Sequence, residues 1–327
     1  MPIDWKRFRQ IVDSGQRFAV TSHMRSDCDA LGSELGLAAL LESLGKEVTI
    51  VNGDAAPPHI AFIDPQRRIK LLGHDITAEQ LREIDVFIVV DTSAWVQLGP
   101  VADVIRATSA KVVVIDHHVS EDQLGQESFK DVTAEATGRL ITEAFEALEV
   151  ELTAEAATPL FAAIATDTGW FRFSSVTSQT FRAVARLVEA GANPQAIFGQ
   201  LYEQHSLARL QLRGRILANV QSDLGGRLLY TCVELADFEA TGAEPGDTED
   251  AVNLLFTVSG SEAAILFVQQ RNGKMKVSLR SRGTVDVRQV AERFGGGGHN
   301  AAAGVMLDGP ADAAIARILD AVRDVMR

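Results

Sequence analysis

At 327 residues the chain is long for one core and comfortable for two domains. Its 46% hydrophobic content supports a sizeable core, and a net charge of -13, from 31 basic and 44 acidic residues, argues against a protein that coats long nucleic acid. Two distant cysteines, Cys28 and Cys232, imply no disulfide framework. The start, "MPIDWKRFRQIVDSGQ", lacks a signal-peptide stretch, and no apolar run reaches membrane-spanning length, so the expectation is a cytoplasmic protein with no membrane contact.

"RFAVTS" (17–22) reads as the first strand. Leu31, Leu35, Ala38 and Leu41 then recur at helical spacing, and Gly45 closes that helix. "EVTIV" (47–51), "DVFIVVD" (85–91) and "KVVVID" (111–116) read as three more strands. The last two are nearly continuous in apolar residues, as strands buried on both faces of a parallel sheet are. Helical segments between the strands give a doubly wound α/β domain. Beyond Asp116 the pattern predicts helices over about 134–149, 153–165, 177–190 and 194–221.

Near residue 226 the pattern changes. "RLLYTCVEL", "EAAILFVQQ" and "KMKVSLRS" read as strands, "VDVRQVAERF" and "PADAAIARILDAVRDVM" as helices, and "TGAEPGDTED" (241–250) as a surface loop. The expected organisation is a first domain over 1–190, a helical linker over 191–225 and a smaller α+β domain over 226–327.

Four clusters carry the chemistry: His23, Asp27 and Asp29 after the first strand; Asp91; Asp116, His117 and His118; and Asp167. Strand ends of a parallel sheet share one edge, so at least three of these clusters should converge there. Crowded carboxylates repel unless a cation compensates them. Asp27 and Asp29 are two apart, so each can serve a different ion, with Asp91 bridging the pair. Carboxylates and imidazoles suit manganese or magnesium. Each residue also has a plainer role open to it. Asp29 can cap the following helix, Asp91 can be a solvated strand end, His117 can be a hydrogen-bonded surface histidine, and Cys28 can point into the core.

Together these motifs resemble the DHH phosphoesterase superfamily. "DHH" stands at 116–118, His-x-x-x-Asp-x-Asp-Ala-x-Gly-Ser at 23–33, Asp at 91 and Thr-Asp-Thr-Gly at 166–169. "GGGGHNAAAG" (295–304) resembles the glycine-rich motif of the DHH-associated substrate domain. Length and motif detail are similar to the nanoRNase type, whose members act on very short RNA and on 3′-phosphoadenosine 5′-phosphate (pAp). One departure is Ser26, where the family usually has proline.

The resemblance implies a two-metal phosphoesterase with an active-site cleft between the two domains. It assigns His23, Asp27 and Asp91 to the first metal, and Asp29, Asp91, His117 and Asp167 to the second. Asp116 orients a histidine, and His118 meets the scissile phosphate or its leaving oxygen, so His118, Asp91 and Asp116 are the catalytic candidates. Two Mn2+ ions are the implied cofactors, with Mg2+ or Co2+ as alternatives. Short RNA oligonucleotides and pAp are the implied partners; long nucleic acid is not, and a homodimer is left open.

In the second domain Gly296, Gly297, Gly298 and His299 offer backbone N–H groups and an imidazole to a phosphate, and Arg280, Ser281 and Arg282 lie in a basic stretch of an acidic chain. The plainer reading is a flexible glycine loop beside a solvated basic surface. Two rival functions stay open: a phosphodiesterase for linear or cyclic dinucleotide signals (pApA, pGpG), and a non-catalytic nucleotide-binding protein.

Overall fold

The computed structural model describes residues 3–119, 122–283 and 285–327. The chain divides into two compact units, one ending at Gln204 and the other beginning at His205.

The first unit runs α1 (Trp5–Ser14), β1 (Arg17–Thr21), α2 (Cys28–Ser43), β2 (Glu47–Asn52), β3 (Ile69–Leu71), β4 (Val86–Val90), α3 (Val101–Ala107), β5 (Lys111–Asp116), β6 (Glu127–Lys130), α4 (Thr137–Ala147), α5 (Ala154–Asp167), α6 (Ser178–Glu189) and α7 (Pro194–Tyr202). Its strands form a parallel sheet in the order β3-β2-β1-β4-β5-β6, whose direction of growth reverses between β1 and β4. That switch point is where open α/β sheets present a crevice.

The period of two in a strand explains the nearly continuous apolar runs. Phe18, Val20, Ile88, Val90, Val113 and Ile115 face a core shared with α2, α4 and α5. Their neighbours Ala19, Phe87, Val89, Val112 and Val114 face a second core under α3. Helix α2 is buried on every side from Cys28 to Leu41, the composition of a helix inside the domain rather than on it.

Two expectations are corrected. No α-helix joins β2 to β4. That stretch holds 3-10 turns at Pro58–Ile63 and Glu79–Leu81 around the short β3, because Pro57, Pro58 and Pro65 interrupt helical hydrogen bonding. The helix expected over 194–221 is two helices. Ser206 opens a new one by accepting the Arg209 N–H at 3.0 Å, so α7 closes the first unit and the next helix starts the second.

The second unit contains α8 (Leu207–Ala218), β7 (Gln221–Asp223), β8 (Leu228–Val233), α9 (Leu235–Thr241), α10 (Ala251–Leu254), β9 (Ala263–Gln269), β10 (Met275–Ser281), α11 (Val287–Glu292), β11 (Gly297–His299), β12 (Ala302–Leu307) and α12 (Ala311–Met326). Its mixed sheet has the order β11-β12-β10-β9-β8-β7, with only β8 and β9 parallel. Val277, Leu279 and Val305 pack under α11 and α12 on one face, and Leu229, Leu266 and Val268 under α8 and α10 on the other. The glycine-rich segment is not an open loop but the edge hairpin β11–β12. Among the described residues no helix is long and apolar enough to cross a membrane.

Candidate metal centre

Three strand ends and one helix end bring the acidic and imidazole groups to the rim of the parallel sheet. His23 and Asp27 follow β1, Asp91 follows β4, Asp116 ends β5 ahead of His117 and His118, and Asp167 ends α5. The donor atoms of His23, Asp27 and Asp91 lie within 4.8 Å of one another, and so do those of Asp29, His117 and Asp167. A third group joins Asp91, His117 and His118 within the same limit.

Hydrogen bonds hold most of the candidate ligands. Asp27 caps α2, accepting the N–H groups of Asp29 and Ala30 at 3.0 Å each, so the capping role considered for Asp29 belongs to Asp27. Asp29 instead crosses to α4, where its oxygens accept the N–H of Thr137 at 2.7 Å and of Gly138 at 2.8 Å. Ala136, the cap position of α4, has no side chain to offer, so Asp29 closes that positive helix end from outside. Ser26, in the family's usual proline position, ties the loop by donating to the His23 carbonyl at 2.7 Å.

Asp91 sits at φ 61°, in the left-handed region that costs a non-glycine residue, and is buried at 2% exposure. The Thr137 hydroxyl donates to its Oδ1 at 2.9 Å. Its Oδ2 lies 3.4 Å from His23 Nε2 and its Oδ1 3.5 Å from His117 Nε2, so each oxygen faces a different histidine. His117 Nε2 is also 3.8 Å from Asp29 and 3.6 Å from Asp167. His23 Nδ1 approaches the Met24 carbonyl at 3.0 Å, and His117 Nδ1 the Ala134 carbonyl at 3.1 Å. A carbonyl only accepts, so both Nδ1 atoms carry hydrogen and both Nε2 lone pairs turn to the cluster.

Burial, with the neighbouring carboxylates, holds the Asp29 and Asp91 carboxyls well above their ordinary range; Asp167 is also raised, chiefly by burial. Buried carboxylates facing imidazole lone pairs suit a divalent cation. Asp116 behaves differently. Burial pushes its carboxyl up, but bonds from His118 and Ser93 outweigh that and bring it down to about 2. Its Oδ1 lies 2.8 Å from His118 Nδ1 and raises the pKa of that ring. His118 is half-exposed and, among the described residues, has no carbonyl tie on its ring. Cys28 is buried and its thiol is pushed up to about 12 by burial and the flanking aspartates, which leaves it inert.

Thr137 and Gly138, which bond Asp91 and Asp29, and Ser93 and Lys130, which bond or lie 3.4 Å from Asp116, belong to no motif legible in the sequence. Glu34 was also missed. It is fully buried below the rim, bonded to Asn52 at 3.0 Å, and burial pushes its carboxyl up to about 8.

In the second unit, register sets Arg280, Ala302 and His299 in one row across β10, β12 and β11, which puts Arg280 and His299 on one sheet face. Ser281 turns inward to the Val285 carbonyl at 2.6 Å. Arg282, just past the strand, donates to the Phe256 carbonyl and lies over the Phe256 ring. A side chain at Gly296 would come within 2.3 Å of the Gly304 carbonyl, and one at Gly298 within 2.4 Å of the Ala302 carbonyl, while nothing crowds Gly297. Two of these glycines therefore answer to the close approach of β12.

The raised carboxyl pKa values set a pH dependence of stability. A carboxyl whose folded pKa exceeds its unfolded pKa binds more protons in the folded state, so stability falls as pH rises from about 4 through the folded value. The metal-free protein should therefore lose Tm between about pH 4 and 8. Mn2+ at a hundredfold excess over its Kd should raise Tm at pH 7.5 by about 5–10 °C. Glu34 lies in none of the ligand groups found among the described residues, so its part of the slope should persist with metal and vanish in Glu34→Gln. Thermal melts with and without chelator at several pH values check this; a flat Tm in the metal-free protein contradicts it.

A rim of carboxylates and imidazoles at the switch point of a doubly wound parallel sheet is the centre of a metal-dependent hydrolase. The chain belongs to the DHH family of phosphoesterases: residues 17–164 match the DHH family, N-terminal domain, and residues 225–327 match the DHHA1 domain. It is similar to the bifunctional oligoribonuclease and PAP phosphatase NrnA of Thermus thermophilus, at 32% identity over 99% of this chain and 95% of that protein. It is also similar to the cyclic-di-AMP phosphodiesterase GdpP of Geobacillus thermodenitrificans, at 28% identity over 90% of this chain and 45% of that protein. Among solved structures, an exopolyphosphatase-related protein from Bacteroides fragilis shares the fold, with a TM-score of 0.85 at 23% identity over 98% of this chain and 95% of that one.

Proposed function

We propose that the protein hydrolyses very short oligoribonucleotides to mononucleotides and pAp to AMP, using two Mn2+ ions. One group of ligands would be His23, Asp27 and Asp91, and the other Asp29, Asp91, His117 and Asp167. The observation that carries this reading is Asp91, whose two oxygens lie 3.4 Å from His23 in one group and 3.5 Å from His117 in the other, beside a half-exposed His118 whose Nδ1 is already engaged. Similarity over nearly the whole chain to an oligoribonuclease and PAP phosphatase supports the substrate class.

Bound divalent cations supply Lewis-acid stabilisation of the phosphoryl oxygens and a more acidic water. The chain's own residues do the rest. Asp91, held by Thr137, presents one oxygen to each half of the centre. Asp116 holds the proton of His118 on Nδ1 or beside it, which leaves Nε2 for the scissile phosphate or its leaving oxygen. Arg280 and His299 would grip a second phosphate, a demand that short substrates and pAp both meet.

The test is incubation of purified protein and Mn2+ with 5′-labelled RNAs of two to twenty-four nucleotides, alongside pAp. Mononucleotides should appear fastest from the shortest chains, and AMP from pAp. Equal rates on long and short RNA would contradict this reading. The likeness to a cyclic-di-AMP phosphodiesterase supports a second reading, so cyclic-di-AMP, pApA and pGpG belong in the same assay. A single-turnover experiment separates either enzyme from a nucleotide-binding protein.

The role of the second unit has its own test. Arg282 already serves the domain's packing, so the informative change is Arg280→Ala with His299→Ala. KM for a dinucleotide should rise about 10–100-fold, the worth of one or two charge-assisted hydrogen bonds. Hydrolysis of bis-p-nitrophenyl phosphate, which has no second phosphate, should change little. Equal losses on both substrates would remove the substrate role from these residues.

A further inference from the structure

We propose that Lys130 is a positioning residue for His118: it fixes one oxygen of Asp116 and so aims the other at the histidine ring. This rests on the reading of His118 as the phosphate-facing group.

The placement begins with register. Strand β6 pairs with β5 in parallel, with Lys130 opposite Asp116, and paired residues on neighbouring strands leave the sheet on the same side. The Lys130 ammonium lies 3.0 Å from Ser93 Oγ and 3.4 Å from Asp116 Oδ2, and its side chain is 12% exposed. The Ser93 hydroxyl donates to that same Oδ2. Asp116 Oδ1 lies 2.8 Å from His118 Nδ1 and accepts the His118 backbone N–H at 3.0 Å. One carboxylate, with no exposed surface, is thus held at both ends: lysine and serine on one oxygen, histidine on the other.

Two physical consequences follow. The terminal torsion of an aspartate is broad, so a carboxylate bonded at one oxygen only can swing; the Ser93–Lys130 pair removes that freedom. Asp116 also carries its charge close to Asp91, in a region already crowded with carboxylates. The Lys130 ammonium balances that charge locally from the oxygen turned away from His118, while Asp116 Oδ1 stays on His118 Nδ1 and so sets which edge of the ring is free. Neither Ser93 nor Asp116 is among the proposed metal ligands, so loss of these two contacts should act on the reacting histidine rather than on the metals.

The test is a double-mutant cycle on the full-length, Mn2+-loaded protein. Lys130→Met should lower kcat about 10–100-fold with KM within about twofold and bound metal unchanged. In an Asp116→Asn background the same change should alter kcat by less than about threefold, because an amide needs no ammonium. Equal fold losses in both backgrounds, an unchanged kcat in Lys130→Met, or loss of bound metal would each overturn the proposal. A readout without turnover is the His118 Nδ1–H proton resonance, expected in the wild type and lost or shifted in Lys130→Met; its survival unchanged also overturns it. Rates are read on a dinucleotide and on bis-p-nitrophenyl phosphate. If only the ester turns over, the proposed substrate class fails while the cycle still decides the role of Lys130.

Discussion

Asp91→Asn should lower hydrolysis about 10³-fold at saturating Mn2+ while raising the Tm of the metal-free protein. Both halves come from the same geometry. Each Asp91 oxygen faces one histidine Nε2, at 3.4 and 3.5 Å, so under the proposed assignment each half of the centre would take one oxygen. An amide has a single oxygen. Thr137 donates to Oδ1 and would keep oxygen on that side, which turns the new NH2 toward His23. There it donates to a lone pair that a cation needs, so the first group of ligands is lost. Without metal, the same substitution removes one buried charge from a repelling set and satisfies an imidazole acceptor, which stabilises the fold. Asparagine is the better choice over alanine, because Asp91 occupies φ 61° and asparagine tolerates that region. Near-wild-type turnover in Asp91→Asn, measured with metal content and melts, would show that Asp91 does not bridge.

His118→Ala should reduce kcat by about 10²–10⁴-fold and keep both metals. His118 Nδ1 is 3.8 Å from Asp91 but only 2.8 Å from Asp116, so its nearer bond is to the carboxylate that orients it. The ring is half-exposed, whereas the rings of His23 and His117 are largely covered and carry carbonyl ties. A ring placed this way suits contact with substrate. Metal content after desalting separates the two roles: loss of one ion together with activity would make His118 a metal ligand. His117→Ala is the contrasting variant and should lose metal and activity together, because its Nε2 lies among Asp29, Asp91 and Asp167.

Much of this protein was legible in its sequence, and the reason is local. The four longer strands of the first sheet show as apolar runs because alternate residues enter two cores, a property of each strand alone. Parallel strands end on one edge, so acidic and histidine residues after β1, β4 and β5 had to share a rim. The tertiary structure decided what depends on partners remote in the chain. Proline-broken connections replaced a helix before β4, and β3 and β6 were too short to announce themselves. Asp29 became the outside cap of α4 across more than a hundred residues, while Asp27 took the local cap. The glycine run leads into a hairpin with β12, whose close approach leaves no room for a side chain at Gly296 or Gly298. Lys130 reached Asp116 through the register of two neighbouring strands, and register follows from packing of the whole sheet rather than from either strand's own residues.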